Sequence, residues 1–305
     1  MSVVYLSGGV GGARLLDGVV RALPPRRVTA VVNVGDDFDH LGLRVCPDLD
    51  TVLYTLGGLG DAARGWGLAG ETFRALEMVK RYGGSDWFAL GDGDLGTHLT
   101  RTQWLAEGLT LTEVMARFAD ALDVAARVLP MSDDRLRTRI ETDQNGVLDF
   151  QDWLVRRRAQ PAVRAVRLEG DPRPTPQVLA ALEDAEVVLI GPSNPYVSID
   201  PILSLPGVRE RLERARVIAV SPIVGGRAVK GPLAEMIPRL AGRPASAAAV
   251  AAHYGGLLDG FVVERGDEGE LPDGLEVRAS ATVMRTPRDR VQLAREALEL
   301  AGVAT

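Results

Sequence analysis

The sequence has one cysteine in 305 residues, Cys46. A lone thiol closes no intrachain disulfide and builds no cysteine cage for zinc, so a reducing, cytoplasmic location is the expectation. Long apolar runs are missing as well. No stretch approaches the roughly 18 apolar residues of a membrane span; the most apolar tract, 245–263, is broken by Ser246, His253, Gly255, Gly256 and Asp259. The first six residues lack a basic region and run straight into glycines, so no signal peptide is expected. Lysine is nearly absent: Lys80 and Lys230 are the only two, the other basic residues being arginines. That bias is read as base composition and carries no function. An excess of positive charge is lacking too. With 35 basic and 41 acidic residues the formal charge is −6, which argues against a nucleic-acid partner. Disorder is excluded in turn, because 46% of the chain is hydrophobic and 25% charged, enough apolar surface to build a core.

What the chain does have is glycine: 34 residues, gathered in a few loops. The first loop, Gly8-Gly9-Val10-Gly11-Gly12, follows the apolar run 3–7 and precedes helically spaced Leu15, Leu16, Val19, Val20 and Leu23, which Pro24-Pro25 stop. Residues 28–34 form a second, nearly continuous apolar strand, as expected of a sheet covered on both faces. Strand, glycine loop, helix and strand make a βαβ opening. The pattern continues with expected strands at 86–90, 186–190 and 217–220 and expected helices at 97–107, 112–126 and after Thr286-Pro287-Arg288-Asp289, a capping signal. Asp200-Pro201 has the same look of a cap followed by proline. Residues 128–168 read differently, as short strands at 138–142, 147–150 and 163–168 with Asn145-Gly146 as a hairpin turn. The fold class is therefore α/β, a Rossmann-like doubly wound, mostly parallel sheet. Its core is residues 1–127 and 176–305, with 128–175 as a smaller β-containing insertion.

In such sheets ligands sit beyond the carboxyl ends of the strands, which directs attention to the loops after Ser7, Val34, Leu90, Ile190 and Val220. Gly8–Gly12 lets backbone N–H groups approach an anion at a helix start, yet it matches neither the dinucleotide fingerprint nor a Walker loop. The tight-turn reading stands beside the phosphate reading. The second loop carries Asp36, Asp37, Asp39, Asp48 and Asp50. Several carboxylates beside a phosphate loop suit magnesium, a hard cation that shares substrate phosphates; a single acid there would suit a ribose, and a solvated acidic loop with Asp50 capping a helix from Thr51 is the plain alternative. The third loop, Gly91-Asp92-Gly93-Asp94, puts two carboxylates on one side if extended, with Thr97 and His98 following. The fourth, Gly191-Pro192-Ser193-Asn194-Pro195, offers donors and acceptors for a base or ribose. The fifth, 221–232, brings Arg227 and Lys230. His40, Cys46, His253 and Tyr254 are read as second-rank or packing residues.

Taken together and in order, these motifs resemble the 2-phospho-L-lactate transferases (CofD, called FbiA in actinobacteria) that make the deazaflavin coenzyme F-420. The resemblance spans essentially the whole chain: 8–14, Asn33-Val34-Gly35-Asp36-Asp37, 47–58, 90–94, Thr97-His98, 130–134, Phe150-Gln151-Asp152-Trp153, 191–195 and 221–223. It implies a Rossmann-like homodimer and magnesium-dependent transfer. A phospholactyl or phosphoenolpyruvyl group (phosphoglycerate in some relatives) would move from a guanosine diphosphate donor to the terminal ribityl hydroxyl of FO, releasing GMP. By the same resemblance Gly8, Gly9, Val10, Gly11 and Gly12 cradle the diphosphate, and Ser193, Asn194 and Pro195 lie near the nucleotide. Asp36 and Asp48 hold the metal. Asp50 orients or deprotonates the attacking hydroxyl; Asp92, Asp94, Thr97 and His98 join it at the acceptor. Relatives commonly place a basic residue where this chain has Gly93, so either Arg101 supplies that charge or FO sits differently. A YvcK-like nucleotide-sugar-binding regulator shares the glycine loop and the Asp-Asp, and is the competing reading; an NAD-dependent dehydrogenase is a weaker one.

Overall fold

The computed structural model describes residues 2–61 and 63–305. The chain opens with β1 (Val3–Ser7), α1 (Gly9–Ala22) and β2 (Val28–Val32), then a hairpin of β3 (Phe38–His40) and β4 (Leu43–Val45). Helices α2 (Pro47–Leu56), α3 (Arg74–Arg81), α4 (Asp92–Ala106) and α5 (Leu111–Ala121) lead to β5 (Arg127–Pro130). Next come β6 (Arg137–Thr142), β7 (Gly146–Asp149), β8 (Val163–Glu169), α6 (Pro176–Glu183) and β9 (Val187–Ile190). The last third holds α7 (Asp200–Leu203), α8 (Val208–Leu212), β10 (Arg216–Val220), the short pair β11 (Ile223–Val224) and β12 (Arg227–Ala228), α9 (Leu233–Ala241), α10 (Ala247–Tyr254), β13 (Gly260–Glu264), β14 (Glu276–Ser280) and α11 (Pro287–Leu300).

Seven strands form one sheet in the order β14-β13-β10-β9-β1-β2-β5, every neighbouring pair parallel. Its central strands carry valine, leucine and isoleucine at almost every position and are buried on both faces, which is why they read as continuous rather than alternating. The chain builds outward from β1 through β2 to β5, then returns to β9 on the other side of β1. The order therefore reverses between β1 and β9, and a crevice opens beyond their carboxyl ends. Helices α1 and α11 pack together; a Cβ on Gly18 would collide with the backbone of Arg290. Helix α11 starts at the expected cap: Thr286 Oγ1 accepts from Asp289 N while the Asp289 carboxylate accepts from Thr286 N at 2.8 Å, a capping box.

The small antiparallel sheet β7-β6-β8 turns through Asn145-Gly146, with Gly146 at φ +65°. A separate apolar cluster of Ile140, Phe150, Trp153 and Val163 ties it to Val197 and Met236. The excursion starts after Pro130, not at 128, because 127–130 pairs with β2 as an edge of the main sheet. The expected strand at 86–90 does not exist. Trp87 and Phe88 instead stack on Phe38 and His40, with ring centroids 4.8–5.9 Å apart, so the apolar run is spent on an aromatic cluster over the β3–β4 hairpin. The sequence reading has no strand at β5, β13 or β14 of the main sheet, nor at the short pairs β3–β4 and β11–β12. Among the described residues no helix is long and apolar enough to cross a membrane.

Candidate active site

The crevice between β1 and β9 is filled from both sides. Gly8 N donates to Ser193 Oγ at 3.2 Å, and Ser193 Oγ donates to the Gly8 carbonyl at 2.7 Å. The first glycine segment is not a free loop: Gly9 to Gly12 are the first turn of α1. Gly9 has φ +67°, a conformation that favours glycine. The others serve close packing. A Cβ on Gly11 would sit 2.5 Å from the Pro192 carbonyl oxygen, one on Gly8 2.5 Å from Ser198 Cβ, and one on Gly12 would collide with Ser7 and Ser193. The glycines let the start of α1 close onto segment 191–198. Tyr5 OH seals the turn by donating to the Gly12 carbonyl at 2.8 Å. Asn194 caps its own turn, accepting from Tyr196 N, and its amide reaches Met236 Sδ at 3.4 Å; Pro195 is buried behind it.

Against this helix start lie Asp36 and Asp48. Asp48 stands in the first turn of α2, which begins at Pro47 and not at Thr51. Its Oδ1 accepts from Gly9 N at 2.7 Å and its Oδ2 from Asn33 Nδ2 at 2.9 Å. Asn33 is itself held by the Val197 carbonyl and Gly35 N. Burial pushes the Asp48 carboxyl up to about 6, against the hydrogen bonds from Asn33 and Gly9. Burial, then the charge of Asp48, raises Asp36 well above the usual carboxylate range. Asp36 Oδ1 is buried with no hydrogen-bond partner. Two buried carboxylates that disfavour each other's charge, one with an orphaned oxygen, are a donor set that a hard divalent cation satisfies. Among the described residues no cluster of three histidine, cysteine or acidic side chains forms a full cage. Magnesium fits such a partial site, because it ordinarily keeps waters and substrate phosphates. Next door, Asp37 is raised to about 6 by burial, offset by Arg44, whose Nη2 lies 2.9 Å from Asp37 Oδ2.

Asp50 stands two residues beyond Asp48 on α2 and so faces the other way, toward α4. Both its oxygens meet Arg101: Nη2 reaches Oδ1, and Nη1 lies 3.2 Å from Oδ2. Arg101 is wholly buried and also donates to the Arg44 carbonyl at 3.2 Å, with Nη1 3.1 Å from His98 Nδ1. Burial opposes its charge, but Asp50 holds the guanidinium above its ordinary range. On the other side of His98, Nε2 lies 3.3 Å from Asp94 Oδ1. Tyr54 OH, one turn from Asp50, joins Asp94 Oδ1 at 2.7 Å and Thr97 Oγ1 at 2.8 Å. Asp50, Asp94, Thr97 and His98 are thus one network, completed by Arg101 and Tyr54. Tyr54 lies within the matched stretch 47–58, where motif reading gives it no role. Its place one helical turn after Asp50 is the further signal for it. Arg101 is committed to Asp50 and offers no exposed charge in place of a basic residue at position 93.

Asp92 is not part of that network. The expected extended loop is the start of α4, so Asp92 and Asp94 point apart. The Asp92 carboxylate accepts from Thr72 Oγ1, Arg74 N and Ala75 N, while the Glu71 carboxylate accepts from Gly93 N and Asp94 N at 2.8 and 2.9 Å. Each carboxylate caps the other's helix. Gly91 leaves the room Glu71 needs, since a Cβ there would overlap its side chain, and at Gly93 a Cβ would meet Glu71 Oε1 at 3.1 Å. The remaining second-rank residues are structural in their contacts. Cys46 is buried, its thiol pushed up by that burial. His253 Nε2 lies 2.9 Å from both Asp200 oxygens and stacks edge-on against Tyr196. Asp200 lies within α7 and is not its cap.

Comparison with known proteins identifies the family of the chain. The model of the family described as 2-phospho-L-lactate transferase CofD matches residues 3–297. A phosphoenolpyruvate transferase of Thermobifida fusca is 44% identical over 316 residues, covering 99% of this chain and 98% of that protein. Another of Streptomyces avermitilis is 45% identical over 314 residues, with the same coverage. One of Nocardia farcinica is 43% identical over 317 residues, covering 99% and 95%. The solved structure of a UPF0052 family protein from Bacillus halodurans superposes with a TM-score of 0.65 at 18% identity, covering 97% of this chain and 98% of that one, a likeness of fold. The seven-stranded parallel sheet and the near-complete match lead to one assignment: the chain belongs to the CofD family of 2-phospho-L-lactate transferases.

Proposed function

We propose that this protein transfers a phosphoenolpyruvyl group, or the closely related phospholactyl group, from a guanosine diphosphate donor to the terminal ribityl hydroxyl of FO in coenzyme F-420 synthesis. The observation that carries the reading is 44–45% identity, along 99% of the chain, with proteins named phosphoenolpyruvate transferase. In the reaction the hydroxyl oxygen forms a bond to the distal phosphorus, the bridging P–O bond breaks, the hydroxyl proton is released, and GMP leaves. The start of α1 and Ser193 receive the diphosphate, whose charge suits a helix N-terminus. Asp36 and Asp48 are the residues to hold magnesium, which when bound neutralises diphosphate charge. Asp48 also fixes Gly9, so metal ligand and phosphate cradle are set by one side chain.

Asp50 is assigned to orient the acceptor hydroxyl. Taking the proton outright would dissolve its pair with Arg101 and strand a buried guanidinium, a costly step. As a fixed acceptor it holds the oxygen in line without that penalty, and positioning is a large part of phosphoryl transfer. Asp94, Thr97 and His98, tied to it through Tyr54 and Arg101, keep the acceptor side rigid.

The test is titration of FO into the purified protein, followed by its fluorescence, with GDP and magnesium present or absent, and then GMP release from the enolpyruvyl donor. Saturable micromolar FO binding with GMP release is expected. No FO binding under any of these conditions overturns the reading and leaves a nucleotide-binding regulator.

A further inference from the structure

A cavity of about 740 Å³ opens where the small sheet meets α9. Its apolar wall is Trp153 and Leu154 from the helical turn Asp152–Arg156, Val163 at the start of β8, and Met236 on α9. Its polar rim is Arg158, Gln160, Glu235 and Arg239. The volume falls within the roughly 300–1,000 Å³ of small-molecule sites, which combine an apolar lining with a few polar groups in this way.

The backbone of the rim is held in place. Arg158 and Ala159 have φ +55° and +57°, consecutive left-handed conformations that residues other than glycine rarely adopt. They are pinned to the wall: Ala159 N donates to the Trp153 carbonyl at 2.8 Å, and Trp153 Nε1 donates to the Pro161 carbonyl at 2.7 Å. The charged side chains above this backbone are available. Arg239, one turn after Glu235 on α9, turns to Asp143 at 3.4 Å. Among the described residues the side chains of Glu235 and Arg158 have no hydrogen-bond or ion-pair partner. Glu235 stands in the first turn of α9, where the helix dipole favours its ionised form.

Met236 joins this cavity to the crevice. Its Sδ lies 3.4 Å from Asn194 Nδ2, and Trp153, Val163 and Met236 share a cluster with Val197. Contacts run in order from Asp48 to Gly9, from Gly8 to Ser193, and from Asn194 to Met236. A donor with its diphosphate on the start of α1 and its transferred end toward Asp50 sends its nucleoside the opposite way, along segment 191–198. We propose that the cavity receives the guanine base of the donor and that Glu235 selects it. Guanine presents N1–H and its N2 amino group side by side, and one carboxylate accepts from both; O6 and N7 accept from Arg158. Adenine turns a bare N1 toward the same carboxylate, which leaves the acid unpaired and disfavours that base. This inference rests on the proposed transfer reaction and names how the site recognises the nucleotide that leaves.

The experiment is calorimetric titration of the full-length protein with magnesium, using GDP, inosine diphosphate, ADP and pyrophosphate as separate probes. Wild type is compared with Glu235→Ala and Arg158→Asn. Inosine diphosphate lacks only the N2 amino group, so wild type should bind GDP roughly tenfold more tightly than it, as loss of one charge-assisted hydrogen bond implies, and ADP more weakly still. Glu235→Ala should weaken GDP at least tenfold and close the gap to inosine diphosphate to within about twofold. Arg158→Asn should weaken both alike, because both carry O6 and N7. Pyrophosphate should change less than about twofold in either variant. Absence of GDP binding to the wild type, equal affinity for GDP and inosine diphosphate there, an unchanged gap in Glu235→Ala, or pyrophosphate weakened as much as GDP each overturns the proposal. Glu235 is exposed on a helix and alanine is a good helix former, so its variant keeps the fold. Failure of FO binding with GMP release sinks the transferase reading separately, because these probes require neither FO nor turnover.

Discussion

Replacing Arg101 with methionine removes the guanidinium that neutralises Asp50 and keeps an unbranched side chain in its place. Arg101 is fully buried, and the Asp50 side chain is 7% exposed. Solvent therefore cannot take over the pairing. Removing one member of such a buried pair costs about 3–5 kcal/mol, chiefly because the other charge is left behind. At roughly 2 °C per kcal/mol for a chain of this size, Tm should fall on the order of 6–10 °C. Urea unfolding of the wild type and of Arg101→Met gives the free-energy difference directly. The double variant Asp50→Asn/Arg101→Met then separates pairing from packing. It removes both charges, so it should be about 1–3 kcal/mol more stable than the sum of the single effects predicts. GMP release should stay lost in the double variant, since the oriented carboxylate is gone, and this distinguishes a functional pair from a merely structural one. A single variant as stable as wild type to within about 0.5 kcal/mol, or strictly additive effects, would refute the reasoning.

Other outcomes follow from the same geometry. Asp36→Asn and Asp48→Asn should each weaken magnesium-dependent GDP binding at least tenfold, a loss of about 1.4 kcal/mol, and wild-type turnover should vanish in excess chelator; full activity with chelator present would remove the metal assignment. Gly11→Ala should destabilise by about 1–3 kcal/mol through collision with the Pro192 carbonyl, read by thermal unfolding, and an unchanged Tm would show that α1 and segment 191–198 are not interlocked. Asp94 is held below the usual carboxylate range: burial works against this, but the His98 ring 3.3 Å away and the hydrogen bond from Tyr54 OH prevail. Its stabilising contribution is therefore present above about pH 4 and lost as acid protonates it. The stability gap between wild type and Asp94→Asn should be widest near neutrality and close on acidification; a gap independent of pH would contradict that origin.

Local signals in the sequence were read correctly where the chain is stabilised locally. The β1-α1-β2 opening, the Asn145-Gly146 hairpin and the Thr286–Asp289 capping box each depend on residues adjacent in sequence. Misreadings arose where distant segments decide. Residues 86–90 have the apolar character of a strand, yet Trp87 and Phe88 belong to Phe38 and His40. Three glycines at 91, 93 and 96 argue against a helix, but Glu71, some twenty residues earlier, supplies the cap that starts one at Asp92. Strand β14 is largely exposed at the sheet edge and lacks the apolar pattern that marks the inner strands. At the site, the paired carboxylates were anticipated through resemblance, whereas the Arg101–Asp50 pair was not: nothing in sequence reveals that two residues 51 positions apart share a buried contact.

The exchanged caps of Glu71 and Asp92 couple two helices that otherwise share little. Helix α3 has no buried residue, so its order depends heavily on Asp92, while the first turn of α4 depends on Glu71. Neither cap can be released alone without slackening the segment that carries the other. The two helix starts should therefore behave as one cooperative unit in hydrogen exchange: the amides of Arg74, Ala75, Gly93 and Asp94 are expected to open at a common rate and Glu71→Ala to quicken all four. Since Asp94 belongs to the same turn, loosening of the exposed helix α3 should reach the acceptor network through the Glu71 cap.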